Sequence, residues 1–223
     1  ALHSLEKLLE QKAGMSEHFW SAMYQQEPTP IGGGLFKDGW WQYTDNVPSL
    51  TYRSIYADTA QKTKQSNDYS VFQVWGYTEN RKAILLDMIR GKWEAPELIE
   101  RARAFWKKHT AYSKSTYGTL RSMNVEDKVS GTGLIQTLQR EGIPINGIQR
   151  SVDKVTRAHD VTPSIESGNV ILLRSCPGLS DFLSEVSAFP NGSHDDMVDP
   201  MMDAVSAMLG GASYNMADLI YGF

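Results

Sequence analysis

Apolar and polar residues change rhythm several times along this chain. Tyr52, Ser54, Tyr56 and Asp58 fall on one side of an extended segment and Arg53, Ile55 and Ala57 on the other, which predicts a strand from Leu50 to Asp58. A polar stretch rich in Lys, Gln, Ser and Asn runs to Asp68, and strands are expected at 69–77 and 82–89, at hairpin-like spacing. The period then lengthens. Pro96 opens a helix in which Leu98, Ile99, Ala102, Phe105 and Trp106 recur at helical spacing. A short strand reaches Val125-Glu126, and residues 133–141 read as a helix stopped by Gly142 as a left-handed cap. Ile143, Ile145 and Ile148 predict another strand, 152–159 a helix, and 170–173 an edge strand or hairpin. Leu179, Phe182, Leu183 and Val186 line a helix over 179–188, and Met197, Val198, Met201, Met202, Val205 and Met208 line a last one.

Three consecutive antiparallel strands, extended by parallel ones through helical crossovers, make an α/β fold with a mixed central sheet flanked by helices. That order resembles the ribonuclease H-like plan. The first fifty residues differ. Leu2, Leu5, Leu8 and Leu9 form a helical stripe, a second short helix is expected at 16–24, and Pro28, Pro30 and Gly32-Gly33-Gly34 then break any regular element. Residues 1–50 are therefore read as a connector, too short to be a domain, and 51–223 as the folded domain.

A chain of 223 residues that is 41% hydrophobic can bury one sizeable core. No apolar run approaches the roughly 20 residues of a membrane span, and no secretory leader is present, so no membrane association is expected. Cys176 is the only cysteine, which excludes an intrachain disulfide and a thiolate metal site and fits a reducing compartment. The start at Ala1 suggests a fragment of something longer. The net charge of -4 argues against a surface coated in basic residues, but not against chemistry that itself needs carboxylates. Arg101, Arg103, Lys107, Lys108, Lys114 and Arg121 follow one another with no acid among them; a solvated helix face is the first reading and a phosphate-contacting patch the second.

The acids carry the candidate chemistry. Asp58 ends the first strand, Glu126 ends the fourth directly before Asp127-Lys128, and Asp195-Asp196 follow the loop 189–194 and open the last helix. Hydrolysis of a phosphodiester needs an activated water, a stabilised pentavalent phosphate and a neutralised leaving oxygen, which two divalent ions roughly 3.5–4 Å apart supply. Mg²⁺ and Mn²⁺ are hard cations, so carboxylates on rigid elements are the expected ligands. Singly, each acid has an ordinary account as a turn, cap or dipole-compensating residue. Two adjacent acids repel each other unless a cation lies nearby, and it is the combination that points to metal.

The motifs around these acids extend the reading. Asp58-Thr59-Ala60, with Asp68-Tyr69-Ser70-Val71 beyond the polar loop, resembles the first motif of the nuclease domain of tailed-phage terminase large subunits. Val125-Glu126-Asp127-Lys128-Val129-Ser130-Gly131 is similar to the second, and Phe189-Pro190 through His194-Asp195-Asp196-Met197-Val198-Asp199 to the third. Residues 19–28 resemble the junction between that family's motor and nuclease. The resemblance implies a metal-dependent endonuclease that cuts concatemeric double-stranded viral DNA during genome packaging. It implies two Mg²⁺ or Mn²⁺ ions held by Asp58, Glu126, Asp195 and Asp196, with Lys128, Lys154 and Arg157 near the DNA phosphates. It also implies a small terminase subunit and a portal protein as partners, the host-cell cytoplasm as location, and a monomeric fragment. Asp68 and Asp87 are read as structural and His194 as a polar residue at a helix start. Pro200 puts Asp199 at the margin. Either Asp199 caps a helix beginning at Pro200, or the helix begins at Asp195 with Pro200 in its first turn. No G-x-x-x-x-G-K-[ST] loop occurs, so this chain should not hydrolyse ATP, and an upstream motor is expected.

Two other readings stand beside this one. A junction resolvase or transposase core shares the acids, and its preference for branched DNA or defined ends would distinguish it. A non-catalytic module docking to portal or small subunit, in which the acids are structural and the aromatic tail 214–223 contributes, would show no cleavage at all.

Overall fold

The computed structural model describes residues 34–60, 69–127 and 129–210. Among these residues seven strands form one mixed sheet in the order β1-β7-β4-β3-β2-β5-β6. The antiparallel centre is β2 (Leu50–Asp58), β3 (Ser70–Thr78) and β4 (Ala83–Gly91). β5 (Thr119–Glu126) and β6 (Ile145–Ile148) extend it in parallel beside β2. On the far side β7 (Val170–Leu173) lies parallel to β4, and β1 (Gln42–Thr44) is parallel to β7.

Helices cover both faces. α1 (Ala95–Thr110) and α3 (Val129–Arg140) lie on one, and α4 (Lys154–Glu166), α5 (Leu179–Ala188) and α6 (Val198–Leu209) on the other; α2 (Lys114–Tyr117) is a single turn before β5. Neighbouring residues of β3 show the division, because successive side chains point to opposite faces. Phe72 meets Phe105 of α1 edge-on, whereas Gln73 donates from Nε2 to the Met197 carbonyl at the start of α6. A strand covered on both faces reads as a continuous apolar run, and Val71, Phe72, Val74 and Trp75 are all fully buried.

The sequence periods are met closely from Leu50 onward, with Gly142 at φ 78° after α3 as its cap role requires. Three elements differ. The helix expected at 152–159 runs on to Glu166, with Pro163 inside it. The segment 170–173 is an interior strand, hydrogen-bonded on both sides, instead of an edge or hairpin. Part of the segment read as a connector joins the sheet as β1, and Phe36 and Trp41 are buried against Phe189 and Phe182. The helices expected within 1–30 and the tail at 214–223 lie outside the described residues, as do Asp68 and Lys128.

Candidate metal centre

Asp58 and Glu126 arrive together because of register. Ala57 pairs with Val125 across the parallel β2–β5 ladder, so each acid is the next residue beyond the pair, at the carboxyl end of its strand and on the same face. In open α/β sheets this edge is where ligands bind. Glu126 is in turn level with Ile148 at the end of β6, and the chain reaches Arg150 two residues later. Asp153 then caps α4, accepting from the Thr156 N–H at 3.0 Å and the Thr156 hydroxyl at 2.6 Å. Lys154 and Arg157 thus leave the first turn of α4, three residues apart on one face.

The start of α6 is pinned from two sides. Glu185 of α5 accepts the Met197 N–H at 2.5 Å, and Gln73, itself held by the Trp75 indole at 2.9 Å, binds the Met197 carbonyl. Met197 is the cap, α6 begins at Val198, and Pro200 lies in the first turn, where no intrahelical donor is lost. This removes the objection to Asp199. It is buried and, with Asp203 one turn on, faces the sheet edge where Asp58 and Glu126 end.

The guanidinium of Arg150 stands between these four carboxylates. Its Nη1 is 2.8 Å from Glu126 Oε2, 3.5 Å from Asp199 Oδ2 and 3.6 Å from Asp58 Oδ2, while Nη2 is 2.7 Å from Asp203 Oδ2. Lys154 Nζ bridges Asp195 at 2.6 Å and Asp199 at 2.7 Å. Arg157 pairs with Asp199 and, at 3.2 Å, with Asp203. Burial pushes the Asp58 carboxyl up to about 7; Asp199 and Glu126 add to the rise and Arg150 opposes it. Burial likewise raises Asp203 against the pull of Arg150 and Arg157. Asp199 goes the other way, because Arg150, Lys154 and Arg157 together outweigh its burial. Arg150 is desolvated too, but Asp203, Asp199 and Asp58 hold it more firmly charged than a free arginine.

The predicted Asp195-Asp196 pair divides. Asp195 is half exposed and rests on Lys154. Asp196 turns toward Arg90, 3.3 Å away, which also binds the buried Glu185 at 3.2 Å and lies 4.0 Å over the Tyr69 ring. His194 sits at 3.9 Å from Asp196, edge-on to Tyr69. The structure thus brings Asp58, Glu126, Lys154 and Arg157, all expected from the sequence, together with Asp199, which had been placed at the margin, and with Asp203 and Arg150, which had not been singled out. The spacing of Asp199 and Asp203, one helical turn apart in α6, was a usable signal. Arg150, a loop residue, offered none.

Asp87 lies on the opposite face, level with Val74, and is held by Lys108 at 2.5 Å and His109 at 2.9 Å. Much of the basic run 101–121 is likewise engaged within the chain: Arg101 with Glu97, Arg103 with Glu141, and Arg121 over the Tyr52 ring.

The acids fit a hard divalent ion chemically, being all carboxylate oxygen from three separate elements. Among the described residues no three His, Cys, Asp or Glu side chains form a ready-made metal-binding group; Arg150 stands in the middle instead.

The sequence profile of the terminase RNaseH-like domain matches residues 55–208. The chain belongs to that family. The large terminase of the thermophilic bacteriophage D6E aligns with a TM-score of 0.62 at 13% identity, over 94% of this chain and 53% of its own. The chain thus spans about half the length of that protein. The human cytomegalovirus terminase nuclease domain gives 0.57 at 12% identity, covering 76% of this chain and 93% of its own. The large terminase nuclease of the thermophilic phage G20c, solved with bound magnesium, gives 0.53 at 17%, covering 79% and 98%. At such identities these likenesses establish a shared ribonuclease H-like fold. No sequence match to a curated protein accompanies them.

Proposed function

We propose that this domain is a metal-dependent endonuclease that cuts concatemeric double-stranded viral DNA during genome packaging. The observation that carries the reading is the convergence of Asp58, Glu126, Asp199 and Asp203, from β2, β5 and α6, on a single cation position at the carboxyl edge of the sheet. Family membership and the magnesium-bound G20c nuclease supply the chemistry to expect there. Asp58, Glu126 and Asp199 are the principal ligands in this reading, with Asp203 behind them and Asp195 and Asp196 at the rim. Two Mg²⁺ or Mn²⁺ ions held there would supply an activated water and neutralise the leaving oxygen. The protein's own contribution is placement. Register sets Asp58 beside Glu126, and Gln73 and Glu185 fix the helix start that presents Asp199. Lys154 and Arg157 pair with acids of the cluster and, in this reading, meet DNA phosphates beside it, with Lys128, two positions after Glu126 in the sequence, as a third candidate. The packaging partners, a small terminase subunit and a portal protein, and the host-cell cytoplasm belong to the same proposal.

The test is direct. Incubated with supercoiled plasmid, the domain should nick and linearise it with Mn²⁺ or Mg²⁺ and stop when a chelator is added. Asp58→Ala and Glu126→Ala, if folded, should be inactive. Cleavage by either folded variant would remove the cluster from the chemistry. Selective cutting of branched DNA would favour a resolvase instead.

A further inference from the structure

We infer that Arg150 is the resident counter-ion of the carboxylate cluster and the group a divalent cation must displace, so that this one side chain sets how tightly the site takes metal. The inference rests on the reading of the cluster as a metal site.

Three observations carry it. A single atom, Arg150 Nη1, lies within ion-pair reach of acids from three elements: Glu126 of β5, Asp58 of β2 and Asp199 of α6. That is the position an ion shared by these carboxylates would take. A magnesium ion binds oxygen at about 2.1 Å, so it and a guanidinium nitrogen cannot occupy the same space between the same oxygens. Second, the three cations of the site among the described residues are not equivalent. Lys154 and Arg157 pair with Asp195, Asp199 and Asp203 from the first turn of α4, whereas of these three it is Arg150 that reaches Asp58 and Glu126. Third, Arg150 has somewhere to stay. It lies in the loop after β6, beyond the last ladder pair, so its backbone can adjust without breaking the sheet. Its Nε and Nη2 both donate to Asp203 Oδ2, at 3.3 and 2.7 Å, so the planar guanidinium can pivot about that edge and carry Nη1 away from the other acids while the contact persists.

Without metal, Arg150 therefore neutralises carboxylates that would otherwise repel one another; its side chain is 6% exposed and well shielded from salt. The acids are kept folded and gathered, at the expense of metal affinity.

The experiment compares wild type with Arg150→Met, which keeps most of the apolar stem, and with Arg150→Lys. Mn²⁺ binding is measured by titration calorimetry, and melting is followed in chelator and in Mn²⁺. Arg150→Met should melt lower than wild type in chelator, bind Mn²⁺ about tenfold more tightly or better, and gain more in melting temperature from Mn²⁺. Arg150→Lys should fall between the two. If wild type binds Mn²⁺ and Arg150→Met binds it no more tightly, the role given to Arg150 is wrong while the metal site stands. If neither binds Mn²⁺, the metal reading fails and takes the inference with it. Should Arg150→Met not fold, nitrogen-15 NMR of wild type decides. The protected Arg150 side-chain N–H signals should shift as Mg²⁺ saturates the site, and signals that stay unmoved at saturation overturn the proposal.

Discussion

Replacing Asp199 by Asn separates the observed cluster from the acid pair that the sequence makes most conspicuous. The Asp199 side chain is 8% exposed and pairs with Arg150, Lys154 and Arg157. Losing one partner of a buried pair costs about 3–5 kcal/mol. Asn also relieves the repulsion that Asp58 and Asp203 feel from the lost charge, so the low end, about 3 kcal/mol, is expected. For a domain of this size that is a drop of roughly 6–12 °C in melting temperature. As a proposed ligand, its loss should lower metal-dependent plasmid cleavage by about a hundredfold or more. Asp195→Asn is the internal control. Its side chain is 47% exposed and meets Lys154 alone among these cations. An exposed pair is worth under about 1 kcal/mol, or at most about fivefold in rate. The assay is initial-rate cleavage of supercoiled plasmid in Mn²⁺, with melting curves of the same preparations in chelator. Wild-type cleavage by folded Asp199→Asn, or an equal loss in both variants, would refute the assignment of Asp199 to the centre.

Three further outcomes are expected. A Cβ on Gly131 would lie 2.1 Å from the Glu126 carbonyl oxygen, and real Cβ contacts stay beyond 3.0 Å, so Gly131→Ala must part the end of β5 and the start of α3 by about 0.9 Å or more. Cleavage should fall about a hundredfold while circular dichroism stays α/β, and a wild-type rate would mean that the position of Glu126 is not critical. Burial lowers the His109 pKa below 6.5 in the fold, and its bonds to His109 and Lys108 hold Asp87 below the usual carboxylate range despite burial. Both groups therefore bind protons more readily when unfolded. The stability due to His109 is complete above about pH 6.5 and fades as pH falls below it; that due to Asp87 fades at lower pH still. His109→Gln should flatten the upper part of this acid slope in melting temperature, and an unchanged slope would exclude His109 as its source. Finally, Glu185→Ala removes the acceptor of the Met197 N–H and one partner of Arg90, loosening the start of α6. A loss of about 2 kcal/mol in denaturant unfolding, with weakened cleavage, is expected, and full activity would show that the Gln73 contact suffices.

Much of the fold was legible because the period changes are clean. The alternation at 52–58 and the helical spacing from Leu98 to Trp106 each describe one buried face, and burial of that face is what the element is for. Val170 to Leu173 was ambiguous for a physical reason. Four apolar residues do not say how many neighbours a strand has, and β7 acquires two because β1 arrives from more than a hundred residues away. Trp41 and Phe36 looked like connector residues for the same reason, since nothing local announces that they will meet Phe182 and Phe189.

The candidate site divides along the same line. By itself the sequence determined that Asp58 and Glu126 end strands, because that depends on local spacing, while Lys154 and Arg157 were expected near them only through the resemblance of the motifs. Tertiary structure decided which acids of the last segment face the cluster. A helix start moved by one or two residues turns its side chains by 100° each, and Gln73, Glu185 and the tolerance of a first turn for Pro200 set that start at Val198. Tertiary structure also supplied Arg150, whose place among four carboxylates follows from three strands ending side by side and leaves no trace in residue spacing.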